Sequence, residues 1–133
     1  MSTEFRSSFD ELLGLKFEEI SPTRTVATLE ADDRHHQPFG QVHGGVYCTL
    51  VESLASVGAN AYSLSQDLGP SVGVANSTDM LRGHKTGVLR AVGTAIHQGR
   101  TQQLWLVEIR RDSDGALVAR GQLRLQHLGA SRA

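Results

Sequence analysis

Between residues 44 and 64 apolar side chains recur at Val46, Leu50, Leu54, Val57 and Ala61, at spacings of 4, 4, 3 and 4, and no proline interrupts them. The spacing predicts one long helix. A step of about 100° per residue puts Cys48, Glu52, Ala55 and Ala59 on the opposite side, all small or apolar except the glutamate, so both sides of this helix are expected to be buried. A shorter pattern precedes it. Phe5, Phe9, Leu12 and Leu13 fall at i, i+4, i+7 and i+8 with Glu4, Arg6, Asp10 and Glu11 between them, which predicts an amphipathic helix within about residues 1–13, ended by Gly14 and lying on the surface as a lid. Residues 15–20 and 23–30 read as strands joined at Ser21 and Pro22, and residues 31–42 read as a polar loop. After Gly69 and Pro70, the runs 71–79, 88–97, 102–111 and 117–128 are rich in Val, Leu and Ile and read as antiparallel strands, with Asp112, Ser113, Asp114 and Gly115 forming the last hairpin turn.

The order is two strands, one long helix and four strands. One helix that is apolar on most sides needs a sheet curled around it, so the fold class is α+β, an antiparallel sheet wrapped about a central helix. A ferredoxin-like sandwich would need a second substantial helix among the later strands, and the connection 81–87 is too short to form one. At 133 residues the chain is expected to be a single domain, 1–133, with residues 129–133 as a loose tail.

Charge and cysteine content narrow the partners. Thirteen Lys and Arg against 14 Asp and Glu give a net charge of −1, which offers no basic field for a phosphate backbone, so no nucleic acid partner is expected. No run reaches the roughly 18 apolar residues of a membrane span, and the first ten residues carry no secretory apolar core, so a cytoplasmic protein without membrane contact is expected. Cys48 is the only cysteine, which excludes an internal disulfide and a thiolate zinc cage.

Glu52 is the only charged residue between Gly44 and Gln66, and a carboxylate among small apolar neighbours is costly unless it is used or paired. It is the first candidate for chemistry, against an ordinary exposed glutamate on a solvated face. Ser56, at i+4, either hydrogen-bonds that carboxylate or its water, or bonds back to the carbonyl four residues earlier. The pair Gly44 and Gly45 after His43 either exposes helix N-terminal N–H groups to an oxyanion or merely allows a tight turn; Gln37 and His43 are polar groups on the same approach. His35, His36 and His43 invite a metal, yet lack a His-x-x-x-His pair, and no metal is expected. Cys48 is a nucleophile or a small core residue. Arg82, His84 and Lys85 in one connection and Arg100 and Thr101 in the next would suit phosphates, or are solvated loop groups.

The run from His35 through Gln37, Pro38, Phe39, Gly40, His43, Gly44 and Gly45 to Val46, followed by Leu50, Glu52 and Ser56, resembles the hot-dog-fold acyl-CoA thioesterases of the phenylacetate-pathway type. It is similar in particular to the branch with 4-hydroxybenzoyl-CoA and 1,4-dihydroxy-2-naphthoyl-CoA thioesterases, over about residues 12–128. The resemblance implies a helix in a curled sheet, two copies paired so that their sheets become continuous, an active site between subunits, and dimers assembled into homotetramers. It implies hydrolysis of an acyl-CoA, aromatic by comparison with the Glu-bearing branch or else medium-chain, without a cofactor. Glu52 matches the catalytic carboxylate, acting as general base or as nucleophile. Gly44 matches the glycine whose N–H polarises the thioester carbonyl, Gln37 and His43 the residues that orient the thioester and its sulfur, and Ser56 the group that positions water. Arg82, Arg100 and Thr101 are the residues expected to hold CoA. The segment Asp79-Met80-Leu81-Arg82-Gly83-His84 departs from the family by lacking a proline after its arginine, with Met80 where relatives often place an aromatic or histidine. A catalytically silent acyl-CoA-binding module and a hot-dog dehydratase or hydratase are the alternatives.

Overall fold

Ser7 opens the part of the chain that the computed structural model describes, residues 7–130, and its hydroxyl caps the first helix by accepting from the Asp10 N–H at 3.2 Å. Helix α1 (Ser8–Leu13) ends at Gly14, which takes the left-handed conformation at φ 83° that a glycine tolerates. The expected start of this helix at Phe5 lies outside the described residues. Strands β1 (Lys16–Ile20) and β2 (Arg24–Ala31) follow, then the long helix α2 (Gly44–Ser65), then β3 (Ser71–Met80), β4 (Gly87–Gln98), β5 (Gln102–Arg111) and β6 (Leu117–His127). The six strands form one antiparallel sheet in the order β1-β2-β4-β5-β6-β3. The loop after β2 contains a turn of 3-10 helix, Asp33–His35, which the hydrophobic pattern did not predict because its caps are polar: the Asp32 carboxylate accepts from the Arg34 N–H, and the Asp32 N–H donates to His35 Nδ1.

The sheet curls around α2, which packs against all six strands. Val46, Leu50, Val51 and Leu54 are buried against Leu29, Leu89, Trp105, Val107, Ile109 and Leu123, and each such side chain contributes about 1.5–3 kcal/mol by leaving water. Two polar threads tie the helix to the sheet. Thr25 Oγ1 donates to the Leu54 carbonyl at 3.0 Å, and Gln103 links the Ala59 carbonyl to the Trp105 indole N–H. One expectation needs correcting: the side of α2 opposite the core is not wholly buried. Ala55 and Ala59 are buried, whereas Cys48, Glu52, Ser56 and Asn60 form a half-buried line, because β3 is the sheet's edge and no further strand covers the helix beyond it.

Candidate active site

Glu52 stands on that half-buried line, at the seam between α2 and β3. Its Oε1 accepts from the Asn76 amide at 3.3 Å; the same amide donates to the Cys48 carbonyl at 3.0 Å, and Thr78 Oγ1 donates to Asn76 Oδ1 at 2.7 Å. The chain Thr78, Asn76, Glu52 therefore fixes the carboxylate from the edge strand. Its other oxygen lies over Gly73, where a Cβ would come within 2.1 Å, so the strand must carry glycine there for the carboxylate to sit as it does. The register of β3 on β6 shifts between Gly73 and Ala75, which lets Gly73 and Asn76 both face the helix although they are three residues apart.

Helix α1 closes the other side of Glu52. Ser7, Phe9, Asp10, Cys48, Thr49, Glu52, Ser53 and Asn76 surround an open cleft of about 410 Å³. Asp10 is 8% exposed, and its Oδ1 accepts from the Ser53 hydroxyl at 2.6 Å. Burial pushes its carboxyl above the ordinary range, while the Ser53 hydrogen bond works in the opposite direction. Ser56 makes no side-chain hydrogen bond to a described residue and stays half exposed beside Glu52. Thr49 is the residue that bonds back along the helix, to the Gly45 carbonyl at 2.8 Å.

A second group of expected residues gathers at the N-terminus of α2. His43 is its cap, with Nδ1 accepting from the Gly45 N–H at 2.8 Å; among the described residues nothing accepts from the Gly44 N–H. The Met80 methyl covers Gly44 so closely that a Cβ there would meet it at 2.9 Å. Gln37 uses its carbonyl oxygen inside its own loop, accepting from the Phe39 and Gln41 N–H groups, which leaves its NH₂ free to donate outward. Gln37, Gly44, Tyr47, Met80 and Arg82 line a cleft of about 370 Å³. Below it the buried Tyr47 hydroxyl has no hydrogen-bond partner among the described residues, and burial raises its pKa against the pull of the Arg111 charge.

Within one chain these two groups do not meet. Glu52 follows Gly44 by eight residues, about 12 Å along a helix, so one thioester carbonyl cannot touch both at once. The residues expected to hold CoA are also apart: Arg82 lies in the connection before β4, whereas Arg100 and Thr101 lie in the turn after it, roughly 35 Å away along a strand of this length. Arg82, Arg100 and Thr101 are exposed or nearly so. The histidines are engaged by the backbone. His35 is buried, accepting from Asp32 N–H on Nδ1 and so donating from Nε2 to the Leu13 carbonyl at 2.7 Å, and His36 Nε2 lies 2.6 Å from the Lys85 carbonyl.

Reading the residues singly missed Asp10, Gly73, Asn76 and Thr78. A glycine inside the apolar run Val72-Gly73-Val74 was a usable signal of close approach, and the others carried none, since an acid in the first turn of a short helix is ordinary helix chemistry.

Comparison with known proteins agrees with this architecture. Residues 39–118, more than half of the chain, match the Thioesterase superfamily. The 1,4-dihydroxy-2-naphthoyl-CoA hydrolase of Escherichia coli K12 is 33% identical over 111 residues, covering 84% of this chain and 79% of that protein. Among solved structures, Rv1847/MT1895 of Mycobacterium tuberculosis, provisionally named an esterase, aligns with a TM-score of 0.91 at 44% identity over 95% of this chain and 100% of that one. The thioesterase PA1618 of Pseudomonas aeruginosa, solved in a mutant form, aligns with a TM-score of 0.83 at 33% identity over 90% of this chain and 85% of its own. The chain belongs to the Thioesterase superfamily, has its hot-dog fold, and is a thioester hydrolase. No helix among the described residues is long and apolar enough to cross a membrane.

Proposed function

We propose that the chain hydrolyses an aromatic acyl-CoA to the free acid and CoA, with Glu52 as the catalytic carboxylate and a site completed by a second copy. The observation that carries this reading is Glu52 itself: the one charged side chain on α2, fixed by Asn76 and lying over Gly73, with a cleft in front of it. The aromatic preference is supported by the relative that acts on a naphthoyl-CoA and by the Phe9 ring in the cleft wall.

Two copies joined antiparallel along their β3 edges run their α2 helices in opposite directions, so that Gly44 and Gln37 of one subunit approach Glu52 of the other. The Gly44 N–H and the Gln37 amide then polarise the thioester carbonyl as negative charge develops on its oxygen. Glu52 either takes a proton from water, which Ser56 holds in line, or attacks the carbonyl carbon to give a mixed anhydride that water opens. In both routes the C–S bond breaks and the proton ends on the CoA thiolate; direct attack puts water's oxygen into the acid, whereas opening the anhydride at the Glu52 carbon puts it into the carboxylate and passes a carboxylate oxygen to the acid. Arg82, Arg100 and Thr101 are exposed hydrogen-bond donors for CoA phosphates.

Free-thiol release from benzoyl-, hydroxybenzoyl-, naphthoyl- and straight-chain CoA esters tests the substrate class. Glu52→Gln keeps volume and most hydrogen bonds, and is expected to lower kcat on the order of 10²- to 10⁴-fold with a smaller change in KM. Near wild-type turnover by a folded Glu52→Gln protein sinks the assignment. In oxygen-18 water, label found in the Glu52 carboxylate after a single turnover establishes the anhydride route, opened at the Glu52 carbon.

A further inference from the structure

Along β6 the buried line Ala119, Leu123 and Leu125 alternates with exposed residues, and the alternation calls for another apolar side chain at position 127. His127 holds that place and is 7% exposed. A buried imidazole needs partners for both nitrogens, whereas a leucine would need none. Those partners form a network with one possible direction. The Trp105 indole N–H can only donate, and it donates to Gln103 Oε1 at 2.9 Å. This fixes the Gln103 amide, so that its NH₂ donates to the Ala59 carbonyl at 2.9 Å and to His127 Nε2 at 3.1 Å. Nε2 therefore accepts, and Nδ1 carries the proton and donates to the Arg100 carbonyl at 3.1 Å. The His127 backbone N–H donates to the Thr101 carbonyl at 2.9 Å. One residue thus holds the carbonyls of both Arg100 and Thr101, in the turn between β4 and β5 whose side chains are exposed. The turn has its own hairpin bond, from the Gly99 N–H to the Gln102 carbonyl at 2.9 Å, and water would satisfy its other carbonyls without a buried anchor.

We infer that His127 is a positioning residue for coenzyme A: its Nδ1–H holds the Arg100 carbonyl, so that the Arg100 guanidinium and the Thr101 hydroxyl are ordered before the phosphates of the nucleotide arrive. The assignment rests on the reading above in which Arg100 and Thr101 donate to those phosphates. Fixing a carbonyl in the turn removes freedom that binding would otherwise have to remove, so the benefit falls on affinity for the nucleotide and not on the reacting carbonyl. The network meets α2 at Ala59, about 10 Å along the helix beyond Glu52, which keeps it clear of the catalytic carboxylate.

Two substitutions separate the nitrogens of the ring, because asparagine puts an NH₂ near the Nδ1 position and glutamine puts a carbonyl oxygen near the Nε2 position. His127→Asn keeps the donor to Arg100. His127→Gln keeps the acceptor for Gln103 and loses that donor. Each is assayed with benzoyl-CoA and with the benzoyl thioester of N-acetylcysteamine, which carries the same acyl group and sulfur without the nucleotide. His127→Gln is expected to raise KM for benzoyl-CoA about three- to tenfold, with kcat and both constants for the short thioester within about twofold of wild type. His127→Asn is expected to stay within about twofold of wild type on both esters. Calorimetric titration with adenosine 3′,5′-bisphosphate reads nucleotide affinity without turnover, and should show the same weakening in His127→Gln and not in His127→Asn. An equal change on the two esters overturns the assignment, as does equal behaviour of the two variants towards benzoyl-CoA and the nucleotide, or failure of both to fold, since each result leaves His127 to the fold alone. Arg100→Ala tells the two claims apart. If it leaves KM for benzoyl-CoA and the affinity for the nucleotide unchanged, the turn does not hold CoA, and the positioning role falls with that reading. If Arg100→Ala weakens both while His127→Gln weakens neither, only the positioning role falls.

Discussion

The carboxylate of Glu52 owes its position to three residues of the edge strand, and the most exacting of them has no side chain. A methyl group at position 73 would stand 2.1 Å from Oε2, so Gly73→Ala must push the carboxylate aside or shift β3. A displacement of about 1 Å at a reacting group can cost on the order of 10²-fold, so Gly73→Ala is expected to lower kcat by roughly 10- to 100-fold. Because Gly73 lies on the sheet edge, the urea midpoint should move little; a large midpoint shift with unchanged kcat would show that the glycine serves folding instead. Glu52 was legible in the sequence because a solitary charge among Cys48, Ala55 and Ala59 is conspicuous. Asn76 was not, since a polar residue in an exposed strand is unremarkable until the bulge turns it toward the helix. Ser56 shows a choice that sequence left open: its neighbour Thr49 takes the backbone bond, and the serine hydroxyl stays available.

At the scale of elements, α2 is where hydrophobic periodicity worked, and α1 is where it misled. The stripe from Val46 to Val57 is buried as the spacing requires, because a helix of 22 residues cannot turn its apolar side away from the sheet. In α1 the six helical residues span under two turns, and the face that meets the protein carries Asp10 and Leu13, while Phe9 and Leu12 are 55% and 72% exposed. Periodicity predicted Phe9 and Leu12 inward and Asp10 outward; the Ser53 hydroxyl on α2 reverses that for the acid. This inversion has a measurable pH signature. Burial raises the Asp10 pKa above its unfolded value of 3.8, so the folded state holds the proton longer than the unfolded chain does. The contribution of Asp10 to stability is thus fully present below that value and declines as pH rises through the raised folded pKa. Asparagine cannot ionise. Wild type should lose stability relative to Asp10→Asn as pH rises above 3.8, read from urea midpoints of the two proteins, and a difference that stays constant with pH would remove Asp10 from the buried, titrating groups.

For the whole molecule, strand count and the wrapped helix were legible, whereas the strand order was not, because β3 crosses the entire sheet to pair with β6 and no local pattern specifies a partner so far along the chain. That crossing makes β3 an edge of ten residues, with Val72 and Val74 42% and 50% exposed, in contrast to the five-residue β1 at the other edge. A long exposed edge whose single charge, Asp79, stands beside its end at Met80 invites a second strand, and an antiparallel copy of itself is the partner that also solves the separation of Gly44 from Glu52. The expected assembly is at least a dimer, and its shared sites can be tested by complementation. Glu52→Gln lacks the carboxylate but keeps Gln37; Gln37→Ala lacks the amide, worth on the order of 10²- to 10³-fold for an oxyanion donor, but keeps Glu52. When the two inactive proteins are unfolded, mixed in equal amounts and refolded, half the dimers are mixed. Each mixed dimer has one site with both groups intact and one with neither, so about one quarter of wild-type activity should return. If Glu52 and Gln37 act within one chain, every site in the mixture stays defective and nothing returns. Sedimentation of the refolded mixture checks that dimers have formed, so that an inactive mixture of dimers counts against the shared site and an active monomeric wild type counts against the assembly itself.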